Sequence, residues 1–292
     1  MTAATSMRAM LFIPGTAEDK FGNIARLGSR PFILDLEDSV PPDEKERSRR
    51  RVADLIDAVG DQHELHVRIN PVVSPHLVAD LAAVVRPGLS GIVVPKVERP
   101  ADLEAVGMLL DAFAGDAGLG PEALGVMATI ETAAGVHAVF SIAAAGGHLK
   151  RLCFGAGDFA LDVGLDWPDE DGTPETVLFA KSQLVLASRV AGLEPPHDSV
   201  YPRYRDLDGL GREARQSRRL GFSGKHVIHP CQIPVVEETF RPSQRQVERA
   251  RRLVEAFETA ERSGHGAVGV GGELVDYPIL YRARRLLSEA EE

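Results

Sequence analysis

The feature that most constrains this chain is an alternation repeated eight times: a short apolar or β-branched run, then a longer segment with apolar residues at helical spacing. The runs fall at residues 9–13, 32–36, 65–69, 91–94, 125–130, 152–155, 198–201 and 226–228. Parallel strands cannot be joined by tight turns and need a crossover between each pair, so this alternation is the signature of a parallel sheet. Helical stripes lie at Val52, Leu55, Ile56 and Val59, at Leu77, Val78, Leu81, Val84 and Val85, and at Leu103, Val106, Leu110 and Phe113. Further helices fit residues 132–145, 175–191, 207–219 and 243–262. Eight such units favour an α/β fold of the (β/α)8 TIM-barrel type over an open doubly wound sheet. The 292 residues hold a barrel of roughly 250 with an appendage.

The barrel is expected over residues 8–262, leaving 263–292 as a C-terminal extension. There, alternating runs at 267–270 and 273–275 flank Gly271-Gly272, a pair suited to the positive φ angles of a tight hairpin turn. An apolar stripe at Ile279, Leu280, Ala283, Leu286 and Leu287 predicts a last helix. A hairpin and helix beyond a closed barrel suit a lid, or an arm reaching a neighbouring subunit.

Charge narrows the partners. With 33 Lys and Arg against 43 Asp and Glu, the formal charge is −10, which repels nucleic acid and anionic membrane surfaces. Cys153 and Cys231 stand far apart with no CxxC spacing, which argues against a disulfide framework or a cysteine zinc site. No apolar run precedes the first strand or approaches the about 18 residues of a membrane span, so a cytoplasmic protein is expected.

In parallel barrels the loops at the carboxyl ends of the strands build the site. Reading those ends gives Asp35, Glu37 and Asp38 after the second run, Arg68 and Asn70 after the third and Lys96 after the fourth. Glu131 follows the fifth, Asp158 the sixth and His229 the eighth. Charges on one rim need partners, a ligand or a metal. Glu131 and Asp158 are the metal candidates: two carboxylates without Cys or paired His suit Mg2+, or Mn2+, better than zinc. The structural alternative for either acid is an N-cap of the following helix. For Asp35, Glu37 and Asp38, the choice lies between orienting metal-bound water and basic neighbours, and pairing with a barrel Arg or Lys or capping a helix.

Arg68 has the fork that binds a substrate carboxylate, with a structural Arg–Asp pair as the alternative. Lys96 raises the question of a Schiff base, but acidic neighbours would keep it charged, which favours an electrostatic or structural role. His229 reads more readily as a hydrogen-bonded supporting residue than as a base. Gly155-Ala156-Gly157 lets the backbone approach a ligand, with Gly157 at the substrate. The basic run 47–51 reads as a solvated helix face.

Taken together and in order, RAMLFIPG at 8–15, LDLEDSV at 34–40, VRINP at 67–71, Pro95-Lys96, IETA at 130–133, GAGDF at 155–159 and GKHVIHP at 224–230 resemble the citrate lyase β-subunit family, which includes malyl-CoA and citramalyl-CoA lyases. The resemblance runs from about residue 8 to the end. It implies a TIM barrel, assembled as a homotrimer or hexamer, that uses Mg2+ to cleave or form the carbon–carbon bond of a small β-hydroxyacyl thioester carried by CoA or an acyl-carrier protein. The products would be a small keto acid and an acyl thioester. By position, Glu131 and Asp158 resemble the magnesium ligands, Arg68 the keto-acid carboxylate binder, and Asp276 the acid that reaches an adjacent subunit's site. The chain departs from the family pattern after Pro14-Gly15, where two acids, Glu18 and Asp19, precede Lys20 in the stretch that contacts CoA. A malyl-CoA thioesterase, a noncatalytic keto-acid-binding protein and a citrate lyase complex subunit are the alternatives.

Overall fold

The structure, a computed structural model, describes residues 7–22, 24–27, 30–120, 123–168 and 172–291. They form two compact units, one running to Glu237 and the other starting at Glu238. In the first, β1 (Ala9–Pro14), β2 (Pro31–Asp35), β3 (Glu64–Arg68), β4 (Leu89–Val94), β5 (Gly125–Ile130), β6 (Leu149–Phe154), β7 (Glu194–Asp198) and β8 (Gly224–Val227) form a closed parallel barrel in chain order. Ala9 of β1 pairs with Lys225 of β8 to complete it. The connections carry α1 (Glu18–Phe21), α2 (Lys45–Val59), α3 (Leu77–Val84), α4 (Pro100–Asp116), α5 (Ala133–His137), α6 (Val139–Ala143), α7 (Ala156–Val163), α8 (Glu175–Ala191) and α9 (Leu207–Leu220), and α10 (Ile233–Phe240) follows β8.

Strand residues alternate between the barrel interior and the surrounding helices. Met10, Ile33, Val93, Met127 and Cys153, from five different strands, pack together as one interior layer. Two residues further toward the mouth stand Phe12, Asp35, Pro95, Thr129 and Gly155, so polar groups first enter this side of the wall with Asp35 and Thr129.

Two expectations are corrected. The seventh strand is Glu194–Asp198 rather than 198–201. Its Pro195 and Pro196 lack N–H donors and disguise it in the sequence, but their carbonyls still work: Pro195 O accepts from Arg151 Nη1 at 2.7 Å, and Pro196 O from Ser223 N at 3.1 Å. The single helix expected over 132–145 is two short ones, α5 and α6, which meet at Ala138.

The second unit contains α11 (Gln244–Arg262), the antiparallel pair β9 (Val268–Val270) and β10 (Glu273–Val275), and α12 (Tyr277–Glu291). Gly271 and Gly272 turn the hairpin with φ of 59° and 87°. Helix α11, assigned to the barrel on sequence, packs instead with this unit: Ala250, Leu253 and Phe257 share a core with Val275, Leu280 and Ala283. Among the described residues no helix is long and apolar enough to cross a membrane.

Candidate active site

The β2–β3 register sets Asp35 directly beside Arg68, each the last residue of its strand. Arg68 Nε donates to Asp35 Oδ1 at 2.7 Å and Nη2 to Oδ2 at 2.8 Å, a two-point fork. Asp35 also accepts from Glu37 N at 3.0 Å and from the main chain and hydroxyl of Ser39. Burial pushes the Asp35 carboxyl up, but the Arg68 charge and these hydrogen bonds outweigh it and hold the group below its ordinary value. Arg68 Nη1 lies 3.0 Å from Glu37 Oε2, an ion pair off the hydrogen-bonding direction, and the guanidinium sits 4.8 Å from the centre of the Phe12 ring. The fork leaves both N–H groups of Nη1 and one of Nη2 uncommitted to Asp35.

The loop after β2 is held from below. Lys45 Nζ donates to the carbonyls of Leu36 and Glu37, each at 2.7 Å, and to Asn70 Oδ1 at 2.8 Å. Asn70 in turn donates to Asp80, which pairs with Arg49 at 2.7 Å, so this member of the basic run is a half-buried partner of Asp80 rather than part of a solvated face. Glu37 is thereby aimed at Lys96, whose Nζ donates to its Oε1 at 3.1 Å. None of the three acids after β2 caps a helix: the turn at Pro42–Glu44 has Pro41 at its cap.

Glu131 and Asp158 are not caps either. Thr132 caps α5, and Asp158 stands inside the first turn of α7. Glu131 Oε1 accepts the main-chain N–H of Lys96 at 2.8 Å, while Lys96 Nζ lies 3.7 Å from Asp38 Oδ1 and 3.8 Å from Asp158 Oδ2. Burial, then the charges of Glu37 and Asp158, push Glu131 up to about 8 against the opposing pull of Arg68. Burial also raises Glu37, and its acidic neighbours hold the Lys96 ammonium above its ordinary value. Gly155 explains why Glu131 fits: a Cβ there would collide with the Glu131 carboxylate.

These side chains open on a cavity of about 370 Å³ at the strand-end face, lined by Asp35, Asp38, Arg68, Glu131, Gly157 and Asp158 among others. Sequence reading missed Phe12, Thr129, Trp167, Ser199 and His226, which also line it. The signal was strand alternation: His226 faces the same side as Ile228, also in the wall, while Lys225 and Val227 face away. His229 is not in that wall; it is exposed, stacks on Tyr204 at 4.9 Å and accepts from Cys231 N. Lys20 lines the cavity, whereas the side chains of Glu18 and Asp19 lie outside the described set. Asp276 belongs to the second unit, where its Oδ1 accepts from Ile279 N at 3.2 Å and caps α12. Among the described residues no three or more His, Cys, Asp or Glu are arranged to hold a metal by themselves.

The sequence that builds this acid-rich mouth on a closed parallel barrel matches the HpcH/HpaI aldolase/citrate lyase family over residues 8–230. The chain belongs to that family. It is 35% identical to the citrate lyase β subunit of Escherichia coli over 290 residues, covering 97% of this chain and 93% of the other. The match to the (3S)-malyl-CoA thioesterase of Cereibacter sphaeroides is also 35%, over 289 residues, 99% of this chain and 96% of that one. Among solved structures of the family, the Mycobacterium tuberculosis CitE protein in complex with magnesium, acetoacetate and coenzyme A superimposes with a TM-score of 0.79 at 30% identity, covering 98% of this chain and 99% of that one.

Proposed function

We propose that this protein is a Mg2+-dependent carbon–carbon lyase of a small β-hydroxyacyl thioester, such as malyl-CoA, citramalyl-CoA or a citryl thioester, releasing a keto acid and an acyl thioester. The observation that carries the reading is Glu131: a buried carboxyl at the wall of a cavity shared with Asp158 and Arg68, raised to about 8 first by burial and then by the charges of Glu37 and Asp158. Such a corner suits a cation. Glu131 and Asp158 would hold it through hard carboxylate oxygens, the donors that Mg2+ favours, with Mn2+ as a substitute. Bound there, the metal supplies a Lewis acid for the keto acid's oxygens.

The chain's own residues supply the rest. Arg68, held flat by Asp35 and Phe12, turns its remaining N–H groups to a substrate carboxylate. Asp35, Glu37 and Asp38 act through Arg68 and Lys96 rather than on substrate. Gly157 admits the ligand close to the backbone. In cleavage, a base takes the hydroxyl proton, the carbon–carbon bond breaks, and its electron pair passes to the thioester α-carbon, which is then protonated. We assign proton transfer to Asp276, delivered by a neighbouring subunit of a homotrimer or hexamer. The 35% identity to a malyl-CoA thioesterase supports a second reading, hydrolysis of the thioester at the same site.

One assay separates them. Malyl-CoA, citramalyl-CoA and the matching acyl-carrier thioesters are incubated with and without EDTA, and the products identified. A keto acid with an acyl thioester, lost in EDTA, is the expected outcome; free acid with free thiol makes the protein a thioesterase, and no product from any thioester overturns both readings. In the same assay Asp276→Asn and Arg68→Ala are each inactive, and mixed oligomers of the two regain activity.

A further inference from the structure

Lys96 is the one non-glycine residue with positive φ, 52°, among those described. An L-residue adopts that backbone only where its surroundings impose it. The turn brings both ends of the residue to the acidic mouth. Its main-chain N–H donates to Glu131, and its ammonium stands 3.1 Å from Glu37, 3.7 Å from Asp38 and 3.8 Å from Asp158. The carboxyl groups of Asp35, Glu37, Asp38 and Asp158 are met by Arg68 and Lys96, Glu131 takes only a main-chain N–H, and Arg68 is already forked onto Asp35. The charge facing Glu37, Asp38 and Asp158 together is that of Lys96.

A mouth with this excess of acid attracts a divalent cation and repels an anionic keto acid. Resting on the metal reading above, we propose that Lys96 is a positioning residue with two separable tasks: its main chain aims Glu131, and its ammonium restrains the negative potential enough for one site to hold both the metal and the anion. Removing the charge then shifts the two ligands in opposite directions. A lysine that merely supports the fold would, when lost, weaken both.

Lys96→Met keeps most of the side chain and removes the charge. Lys96→Gly keeps the main-chain donor, takes the positive φ without strain and also removes the charge. Lys96→Arg restores it. Mn2+ binding is read by electron paramagnetic resonance without substrate, and oxaloacetate binding by calorimetry at saturating Mn2+. Lys96→Met and Lys96→Gly are expected to bind Mn2+ about three- to tenfold more tightly and oxaloacetate more weakly by a similar factor, as expected for one partly exposed unit charge at this range. Both shifts shrink in high salt, and Lys96→Arg returns both toward the parent values. Parallel weakening of both ligands, or no shift in either, overturns the proposal. Glu131→Gln distinguishes its failure from that of the metal reading. If that variant binds Mn2+ as the parent does, the metal assignment fails and the Lys96 proposal with it. If it loses Mn2+ while the Lys96 variants weaken both ligands in parallel, the Lys96 proposal alone fails.

Discussion

The barrel carries two clusters of buried charge that differ in one respect. Outside strands β7 and β8, Asp198 is shared by Lys225 at 2.7 Å and Lys181 at 2.9 Å, Lys225 also meets Glu213, and Ser217 donates to Asp198 at 2.7 Å. Two ammonium groups face two carboxylates, and Asp198 and Lys225 are fully buried. At the mouth, four carboxyl groups share Arg68 and Lys96, a fifth, Glu131, takes only the main-chain N–H of Lys96, and Lys20 is a further cation in the wall. The balanced cluster is closed on itself and fastens α8 and α9 to the strands. The unbalanced one leaves an excess of acid, which is what the proposed metal would offset. Burial of charge thus accompanies a structural clamp in one place and the proposed binding site in the other, and the sum of the charges tells them apart.

Breaking each cluster at its central acid tests that difference. Glu131→Gln should lower turnover by about 10³-fold or more, as for loss of a metal ligand, and leave the melting temperature unchanged or raised, because a carboxyl already disfavoured by burial is removed. Thermal unfolding and kcat measured together check it; a destabilised but active variant would erase the contrast. Asp198→Asn should do the reverse. It leaves two buried ammonium groups short of a partner, at a cost of about 3–5 kcal/mol, while the fraction that stays folded keeps its kcat. Denaturant unfolding supplies that number.

A smaller effect sharpens the comparison from the inner side of the same strands. His197 and His226 neighbour Asp198 and Lys225 in sequence but face inward, their rings 5.7 Å apart. Burial, and after it the charge of Arg151 for His197 and of Arg68 for His226, lowers both, His226 to about 3 from 6.5. A depressed folded value means that these groups stabilise fully above pH 6.5, with stability lost as pH falls from there toward the folded values. Asp198 is also depressed, its burial outweighed by Lys181 and Lys225, but from 3.8, so its contribution is retained until much more acidic solution. The melting temperature should therefore fall as pH drops from about 6.5 to about 4, the range between the ordinary His and Asp values. The double variant His197→Gln/His226→Gln should flatten the curve. A parent curve already flat over that range would contradict the assignment.

Most of this architecture was legible because an interior strand is hydrophobic for the same reason that it is a strand. The exception, β7, carries Pro195 and Pro196, and the rule against proline in ladders hid it. Acids and bases at strand ends were legible as a mouth, and Asp35–Arg68 could be read as a pair. What could not be read was the sharing: that Lys45 would hold the Glu37 loop, or that Gly155 is glycine to make room for Glu131. Those facts depend on separations in space between residues distant in the chain. Lys225 was passed over for a related reason. It sits one residue from His226, and only the pleat of the strand sends one to the helices and the other to the cavity.

The two prolines of β7 also bear on how the barrel holds its shape over time. A strand whose second and third residues have no amide proton cannot complete a regular ladder, and the β6 pairing slips in register between Arg151 and Cys153. This is the seam of the cylinder: among the described residues β7 registers with two residue pairs on each side, fewer than any other strand pair of the wall. The Lys181–Asp198–Lys225 clamp lies on that seam, at the last residue of β7 and the second of β8. The seam is therefore where amide exchange by opening short of global unfolding should be fastest within the wall, and where the ionic clamp does the work that hydrogen bonds do elsewhere around the ring.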